Sequence, residues 1–371
     1  INQERYARIK DESPADIEKL TKLLYLAEGI IKQCQREKVI CDTDLFTNLQ
    51  VVVLLNMPRY RDDFETSRIL SDYIKSIEQD EDSMHKMRLD AVVIMPIYEL
   101  IFSIYANNED LEGMQDILVR AKKASSCFHR KEAYAVYYNM LSEYYDILLD
   151  GFYDTDNQDE ERILNKMLDA IEKTLFYSKQ NISYDINHLY VKNILAKATI
   201  LMRSNRGTIR KIDKLITNAK KIIIENTKEY ADVRLQYYLV CAWYYALVQD
   251  DKNMAEVFIK DALELSNVII PTDLQRIEDV IIPCANIYFE LYCYNQAMTL
   301  LYKGTRLCFK HINTDSYAFI RQQLYNHFFQ VGIEAQQVEW CQKMIKLIEI
   351  ENKEIVDDKN RVIIPEEVRS L

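Results

Sequence analysis

The sequence predicts an all-α protein built from consecutive antiparallel helix pairs. Three observations support this fold class: glycine is scarce, apolar residues recur with helical periodicity between short polar turns, and small residues return at a nearly constant spacing. Only 6 of the 371 residues are glycine, against roughly 7% in average proteins. Because strand turns and nucleotide-binding loops use glycine for positive φ, this count disfavours β and α/β folds.

Helical periodicity runs along most of the chain. The first helix is indicated by Ser13 as its N-cap, Pro14 in its first turn and Asp16 three residues after the cap. Pro96 and Pro283 lie inside two later helical patterns and are expected to kink those helices. The predicted helix pairs that follow the first helix are 44–57 with 64–79, 87–106 with 111–125, 131–150 with 160–179, 186–204 with 209–226, 230–248 with 254–265, 272–293 with 294–309, and 316–332 with 335–351.

Small residues recur in both helices of successive pairs. The leading helices carry Ala198, Ala242 and Ala285, spaced 44 and 43 residues apart, and the trailing helices carry Ala219, Ala262 and Gly304, spaced 43 and 42 residues apart. Two independent markers thus keep nearly the same period, which is typical of a structural repeat. A small side chain at such a position lets neighbouring helices pack closely.

The residues around these markers resemble a known repeat. The trailing-helix patterns are Ala255-x-x-x-Ile259-x-x-Ala262 and Ala297-x-x-x-Leu301-x-x-Gly304, and the leading-helix patterns are Ala242-Trp243-x-x-Ala246 and Ala285-x-x-Tyr288. They are similar to the second and first helices of a tetratricopeptide repeat, with the best match over residues 185–310. The units here, at about 42 residues, are longer than the roughly 34 of that family.

The resemblance implies a right-handed superhelical α-solenoid of stacked antiparallel hairpins. We therefore expect a helical repeat domain over residues 1–354, divergent over 1–130 and with clearer repeats over 131–354. Residues 355–371 contain short β-branched runs, a turn-like Asp-Asp-Lys-Asn and Pro365. They are expected to form a linker or the start of a following domain.

Composition disfavours several classes of function. The net charge of −11 disfavours direct binding of nucleic acid or of anionic membranes. No apolar stretch is long enough to span a membrane, and the eight scattered cysteines are typical of a reducing cytoplasm. No catalytic signature and no metal-ligand spacing is present. We expect no catalytic residue, metal or cofactor in this chain, and therefore no enzymatic activity, without extending this to any flanking domain.

Tyrosine is unusually frequent, with 26 residues, many of them in tandem pairs. In the repeat family that the chain resembles, leading helices line a concave surface, and such surfaces bind partners. The register of the repeat then predicts a partner-binding face formed by Lys192, Thr199, Arg203, Tyr237, Tyr244, Asn286, Phe289 and Glu290. Aromatic rings, amides and cations are groups that can hold a peptide.

The resulting hypothesis is an intracellular domain that binds a protein or peptide, as the sensor or interaction segment of a larger, bacterial-type regulatory protein. Two alternatives stay open. One is a stand-alone, peptide-regulated response-regulator phosphatase, and the other is a purely structural scaffold. Self-association into a homo-oligomer also stays open as a second kind of partnership.

Overall fold

The computed structural model describes residues 14–37, 50–57, 62–78, 91–128, 130–151, 157–179, 184–204, 206–225, 230–270, 272–313 and 315–369. These residues form helices and turns, with no β-strand among them, so the predicted all-α class is confirmed for this part of the chain. The chain divides into two compact units, with the boundary between residues 197 and 198.

The described residues of the N-terminal unit, between 14 and 197, form seven helices and the first part of an eighth. They are α1 (Pro14–Glu37), α2 (50–55), α3 (Asp63–Glu78), α4 (Ala91–Asn107), α5 (Leu111–Phe128), α6 (Lys131–Gly151), α7 (Asn157–Ser178) and α8 (Tyr184–Arg203). Helix α4 packs against α3, α5 and α6, and α6 packs against α5 and α7. Tyr98, Phe102 and Ile117 are almost completely buried between these helices.

The part of the C-terminal unit that the structure describes, between residues 198 and 369, forms the end of α8 and eight further helices. They are α9 (Ile209–Glu225), α10 (Ala231–Leu247), α11 (Lys252–Ile269), α12 (Asp273–Arg276, a π-helical turn at Ile277–Ile281, and Ile282–Glu290), α13 (Tyr294–Phe309), α14 (Asp315–Glu334), α15 (Val338–Glu354) and the short α16 (Glu366–Arg369). From α9 to α15 each helix packs against the next helix along the chain, and α10 also packs against α12. Ile259, Ile287 and Phe328 are fully buried in this core.

The two prolines expected to kink helices lie in different local structures. Helix α4 continues through Pro96. Pro283 follows the π-helical turn, in which the N–H of Ile282 donates to the carbonyl of Ile277, five residues earlier. A π-helical turn holds one more residue than an α-helical turn, so the turn in α12 shifts the helical register immediately before the proline.

The turns inside four hairpins share one backbone feature. Among the described residues, the non-glycine positions with positive φ are Glu109 (55°), Asp250 (51°), Tyr292 (55°) and Gln336 (54°), and no glycine has positive φ. They connect α4 to α5, α10 to α11, α12 to α13, and α14 to α15. The left-handed conformation is the usual way to end a helix, but glycine normally occupies it. A low glycine content is therefore compatible with several left-handed turns, because other residues adopt the positive φ in this chain.

Backbone hydrogen bonds close three of these turns in the same way. The N–H groups of Asp110, Cys293 and Gln337 donate to the carbonyls of Tyr105, Tyr288 and Gly332 at 2.9, 2.8 and 2.8 Å, respectively. Each bond spans five residues, as in the Schellman motif that satisfies the last carbonyls of a helix. The same hairpin turn is thus built three times from different side chains.

The segment after α15 packs onto the C-terminal unit. Residues 355–369, which we call the strap, contain a 3-10 turn at Asp358–Asn360, an extended stretch and α16. Ile355, Val362, Ile364 and Val368 in the strap are at most 6% exposed. The boundary predicted at residue 355 stays a prediction, but Val362, Ile364 and Val368 beyond it pack into the hydrophobic core of this unit.

Candidate partner-binding surface

Three of the predicted site residues share one face of α8. Lys192, Thr199 and Arg203 are seven and four residues apart, and this spacing places them on one side of an α-helix. The first two are half-buried and Arg203 is exposed. Helix α8 therefore presents a polar face that ends in an exposed guanidinium.

Lys192 belongs to a hydrogen-bonded network that joins α6 to α8 within the N-terminal unit. Its Nζ donates to Oε1 of Glu143 at 2.8 Å, and the same oxygen accepts a bond from Nδ2 of Asn139 at 3.1 Å. Nδ2 of Asn193 donates to Oδ1 of Asn139 at 2.9 Å. Asn139 and Glu143 are one turn apart on α6, so both point toward the adjacent residues 192 and 193 of α8.

This network has a buried half and an accessible half. Asn139 and Asn193 are each 2% exposed, whereas the side chains of Glu143 and Lys192 are each 34% exposed. The buried Asn139 orients the Glu143 carboxylate directly, and Glu143 in turn binds the Lys192 ammonium group. A buried hydrogen bond is costly to break, so the network holds an accessible carboxylate next to an accessible ammonium group.

Tyr237 and Tyr244 on α10 are mostly buried, with exposed fractions of 7% and 6%. The Tyr237 ring lies edge-on to Phe258 at 6.3 Å between centroids, and Nε2 of Gln249 donates to the Tyr244 hydroxyl at 2.6 Å. Burial raises the pKa of both phenols. These rings contribute mainly to packing, so little of either side chain is accessible to a partner, and their role in binding stays a prediction.

The second tyrosine of each tandem pair is the more accessible one. Tyr238 and Tyr245 are half-buried, and their rings lie 6.2 and 5.5 Å from Phe258 between centroids. One residue along a helix turns the side chain by about 100°, which separates the buried ring from the accessible one. The register of the repeat predicts Tyr237 and Tyr244 for the binding face, whereas Tyr238 and Tyr245 are the more accessible rings of the two pairs.

The same arrangement occurs on α6, where sequence analysis had assigned no site. Tyr137 and Tyr144 are 7% and 8% exposed, while Tyr138 and Tyr145 are half-buried. The tandem spacing at 137–145 is identical to that at 237–245. This repeated pattern was the available signal for an equivalent aromatic face in the N-terminal unit.

Aromatic and cationic side chains from α7 complete that face. The Tyr177 ring stacks on Tyr138 with centroids 5.8 Å apart and planes at 3°. Nζ of Lys173 lies 5.2 Å from the Tyr138 ring centroid, and Nζ of Lys166 lies 5.7 Å from that of Tyr145. An ammonium group over an aromatic ring is attracted by the ring's negative face, so these lysines cover part of the tyrosine surface.

The remaining predicted residues lie at the C-terminal end of α12. Asn286 and Phe289 are half-buried and Glu290 is exposed. The Phe289 ring packs edge-on against Tyr294 of α13, with centroids 5.8 Å apart. The predicted set is thus divided, with Lys192 in the N-terminal unit and the other seven residues in the C-terminal unit.

Within the described ranges, no three His, Cys, Asp or Glu side chains are grouped so that they could hold a metal ion. None of the helices described has both the length and the apolar character needed to cross a lipid bilayer.

The pKa shifts that burial produces in tyrosines and cysteines, such as the rise to about 12 for Cys284, keep these groups protonated. Protonated phenols and thiols are poor nucleophiles.

The chain matches no known protein-family model and no curated protein. Its function must therefore be inferred from the surfaces described above.

Proposed function

We propose that this chain is a helical repeat domain that binds a protein segment or peptide along its leading helices. The observation that carries the proposal is the network of α6 and α8. Two buried asparagines anchor this network: Asn139 donates to Glu143 and accepts from Asn193. Glu143 in turn accepts from Lys192, and both charged side chains are partly exposed. A fixed carboxylate next to a fixed ammonium group is suited to recognise a polar backbone and charged side chains.

The proposed architecture is a right-handed α-solenoid of the tetratricopeptide type. Five hairpins pack as antiparallel pairs, and the leading helices α4 with α6 and α10 with α12 also pack on each other. These hairpins are α4–α5, α6–α7, α10–α11, α12–α13 and α14–α15. The left-handed turn residues Asp250, Tyr292 and Gln336 are 42 and 44 residues apart, which agrees with the spacing of the small residues. Ala242, Ala262 and Gly304 are buried, as close helix packing requires.

The ligand chemistry follows from the groups on these helices. Lys192 would attract a carboxylate and Glu143 a cationic side chain, and the half-buried Tyr138 and Tyr145 would contact aliphatic or aromatic groups. We further propose that the chain works in the cytoplasm as the sensor or interaction segment of a bacterial-type regulator. Charge supports a protein partner over a nucleic acid, because the chain carries a net charge of −11.

A peptide-display selection tests this proposal. A random peptide library is enriched on the wild-type chain, and the affinities of the enriched peptides are then measured by fluorescence polarisation. We expect at least tenfold weaker binding to the Lys192→Met and Glu143→Gln variants. The matched control is Lys346→Met, which removes an exposed lysine from α15, and it should change affinity less than twofold.

Two outcomes would count against peptide binding by this face. The first is enrichment of peptides that bind the double variant as tightly as the wild type. The second is no enrichment at all on a chain whose helical circular dichroism is intact, a result that favours the structural scaffold.

A further inference from the structure

The strap contains an extended stretch with alternating burial. Val362 and Ile364 are 5% and 6% exposed, whereas Ile363 between them is 73% exposed. Such alternation is the pattern of a β-strand with one buried face. No neighbouring strand is present among the described residues, so the backbone of this stretch must find hydrogen-bond partners elsewhere.

Two side-chain amides supply these partners, one from each of the two last long helices. Asn352 of α15 donates from Nδ2 to the Val362 carbonyl at 2.9 Å, and its Oδ1 accepts from the Val362 N–H at 2.9 Å. Gln322 of α14 donates from Nε2 to the Ile363 carbonyl at 2.9 Å, and its Oε1 accepts from the Ile363 N–H at 2.7 Å. Each amide thus forms the pair of bonds that a neighbouring β-strand would form.

The start of the strap is also held through its backbone. Arg321 of α14 is fully buried, and its guanidinium donates to the carbonyls of Asn360 and Ile312. Oδ1 of Asn313 accepts the Val356 N–H at 3.3 Å. Side chains outside the strap thus form six hydrogen bonds with the backbone of the strap. Because these bonds do not depend on the side chains of the bound segment, they tolerate changes in its sequence.

The helices that hold the strap are tied together without it. Glu351 of α15 is 1% exposed, and its carboxylate accepts hydrogen bonds from the Tyr325 hydroxyl of α14 and from Nη1 of Arg306 of α13. These bonds connect three helices and involve no strap residue. The surface of α14 and α15 that the strap occupies, which we call the cleft, is therefore expected to persist when the strap leaves it.

We propose that this cleft is a peptide-binding site, and that the strap is its resident occupant. The site selects an extended segment with aliphatic residues at alternate positions, the chemistry of Val362 and Ile364. A segment of this chemistry from a partner protein replaces the strap. The site lies on α14 and α15 and does not depend on the face proposed above for α6 and α8.

Occupancy by the strap sets the conditions under which a partner binds. A segment tethered by a short linker has an effective concentration of about millimolar. A free peptide of similar affinity therefore competes poorly with the strap in the intact chain. Release of the strap should increase the apparent affinity of the cleft for a free peptide.

The experiment compares the full wild-type chain with the full chain carrying Val362→Asp and Ile364→Asp, which should release the strap. The probe is a fluorescein-labelled peptide with the wild-type sequence of residues 355–369, and binding is measured by fluorescence polarisation. We expect the peptide to bind the released chain at least tenfold more tightly than the wild-type chain. A scrambled peptide of the same composition should bind neither.

The amides give the specific control. Adding Asn352→Ala and Gln322→Ala to the released chain should lower its affinity for the labelled peptide at least tenfold. Equal affinity for the native and scrambled peptides, or no effect of the amide substitutions, would overturn the proposal.

A second form of the protein covers the case in which the released variant does not fold. A protease recognition sequence inserted between the exposed Asp357 and Asp358 allows the folded wild-type chain to be cut and the labelled peptide to exchange into the cleft. If an excess of unlabelled strap peptide blocks this exchange, the result supports the proposed peptide-binding site. If the cut chain also loses its helical circular dichroism, the strap is an integral part of the core and the proposal is wrong.

Discussion

The buried amide pair of the α6–α8 network should be worth more to stability than the charged pair beside it. Asn193→Ala removes the 2.9 Å bond to Asn139 and leaves Oδ1 of Asn139 buried without that donor, because both residues are 2% exposed. Leaving a buried polar group unsatisfied costs about 1–3 kcal/mol. We therefore expect the single variant to lower the free energy of unfolding by about 2 kcal/mol.

A double-mutant cycle separates the two pairs. The variant with both Asn139→Ala and Asn193→Ala has no orphaned amide, so its loss should be smaller than the sum of the single losses by about 1 kcal/mol. The cycle of Lys192→Met and Glu143→Gln should give a coupling of about 0.5 kcal/mol. Both of these side chains are 34% exposed, and solvent screens their attraction.

The assay is urea unfolding followed by circular dichroism at the helical band, with the slope of the transition compared between variants. Equal slopes show that all variants unfold through the same transition, a necessary check for a chain with two units. A charged pair that couples more strongly than the amide pair would refute the reasoning. The charged groups would then be the structural element, and they would not be available for a ligand.

Two further predictions concern packing and thiol chemistry in the chain. A Cβ at Gly332 would lie 2.5 Å from Sγ of Cys341, so Gly332→Ala should destabilise the protein by about 1–3 kcal/mol. Adding Cys341→Ala should restore at least half of that loss in urea unfolding, and no restoration would contradict the proposed clash. Burial raises the pKa of Cys284 and Cys308 to about 12, so at pH 8 iodoacetamide should label them more than about 100-fold more slowly than in the unfolded chain. Peptide mass spectrometry measures the labelling rates, with the half-buried Cys34 as the internal reference. Equal labelling rates for Cys34, Cys284 and Cys308 would show that Cys284 and Cys308 are not buried.

The fold class was predictable because it depends on averages along the chain. Glycine content and apolar periodicity sum over many residues, and they correctly indicated the all-α class for the described residues. Individual helices also agree well: the helix predicted over 131–150 is Lys131–Gly151, and the one predicted over 294–309 is Tyr294–Phe309. Local capping and periodicity decide such boundaries, so they can be read without tertiary information.

The surface was harder to predict because it depends on single residues. A helical period leaves the outward face uncertain by one position: the repeat register predicts Tyr237 and Tyr244 for the binding face, whereas the neighbouring Tyr238 and Tyr245 are more accessible. The role of Tyr237 and Tyr244 in binding stays a prediction. The strap was unpredictable for a different reason. Its partners Gln322 and Asn352 are 41 and 10 residues from the backbone groups that they bind. No local sequence pattern predicts such contacts.

The left-handed turns are sites at which substitution by glycine should stabilise the protein. Glu109, Asp250, Tyr292 and Gln336 all have φ between 51° and 55°, a conformation that costs a residue with a Cβ roughly 1 kcal/mol. Glycine adopts it without that cost, although it loses more entropy on folding, so each replacement should gain a few tenths of a kcal/mol to about 1 kcal/mol. The four sites lie in separate hairpins, and gains at distant sites usually add. The melting temperature of this chain could therefore be raised at its turns alone, with every helix face left unchanged.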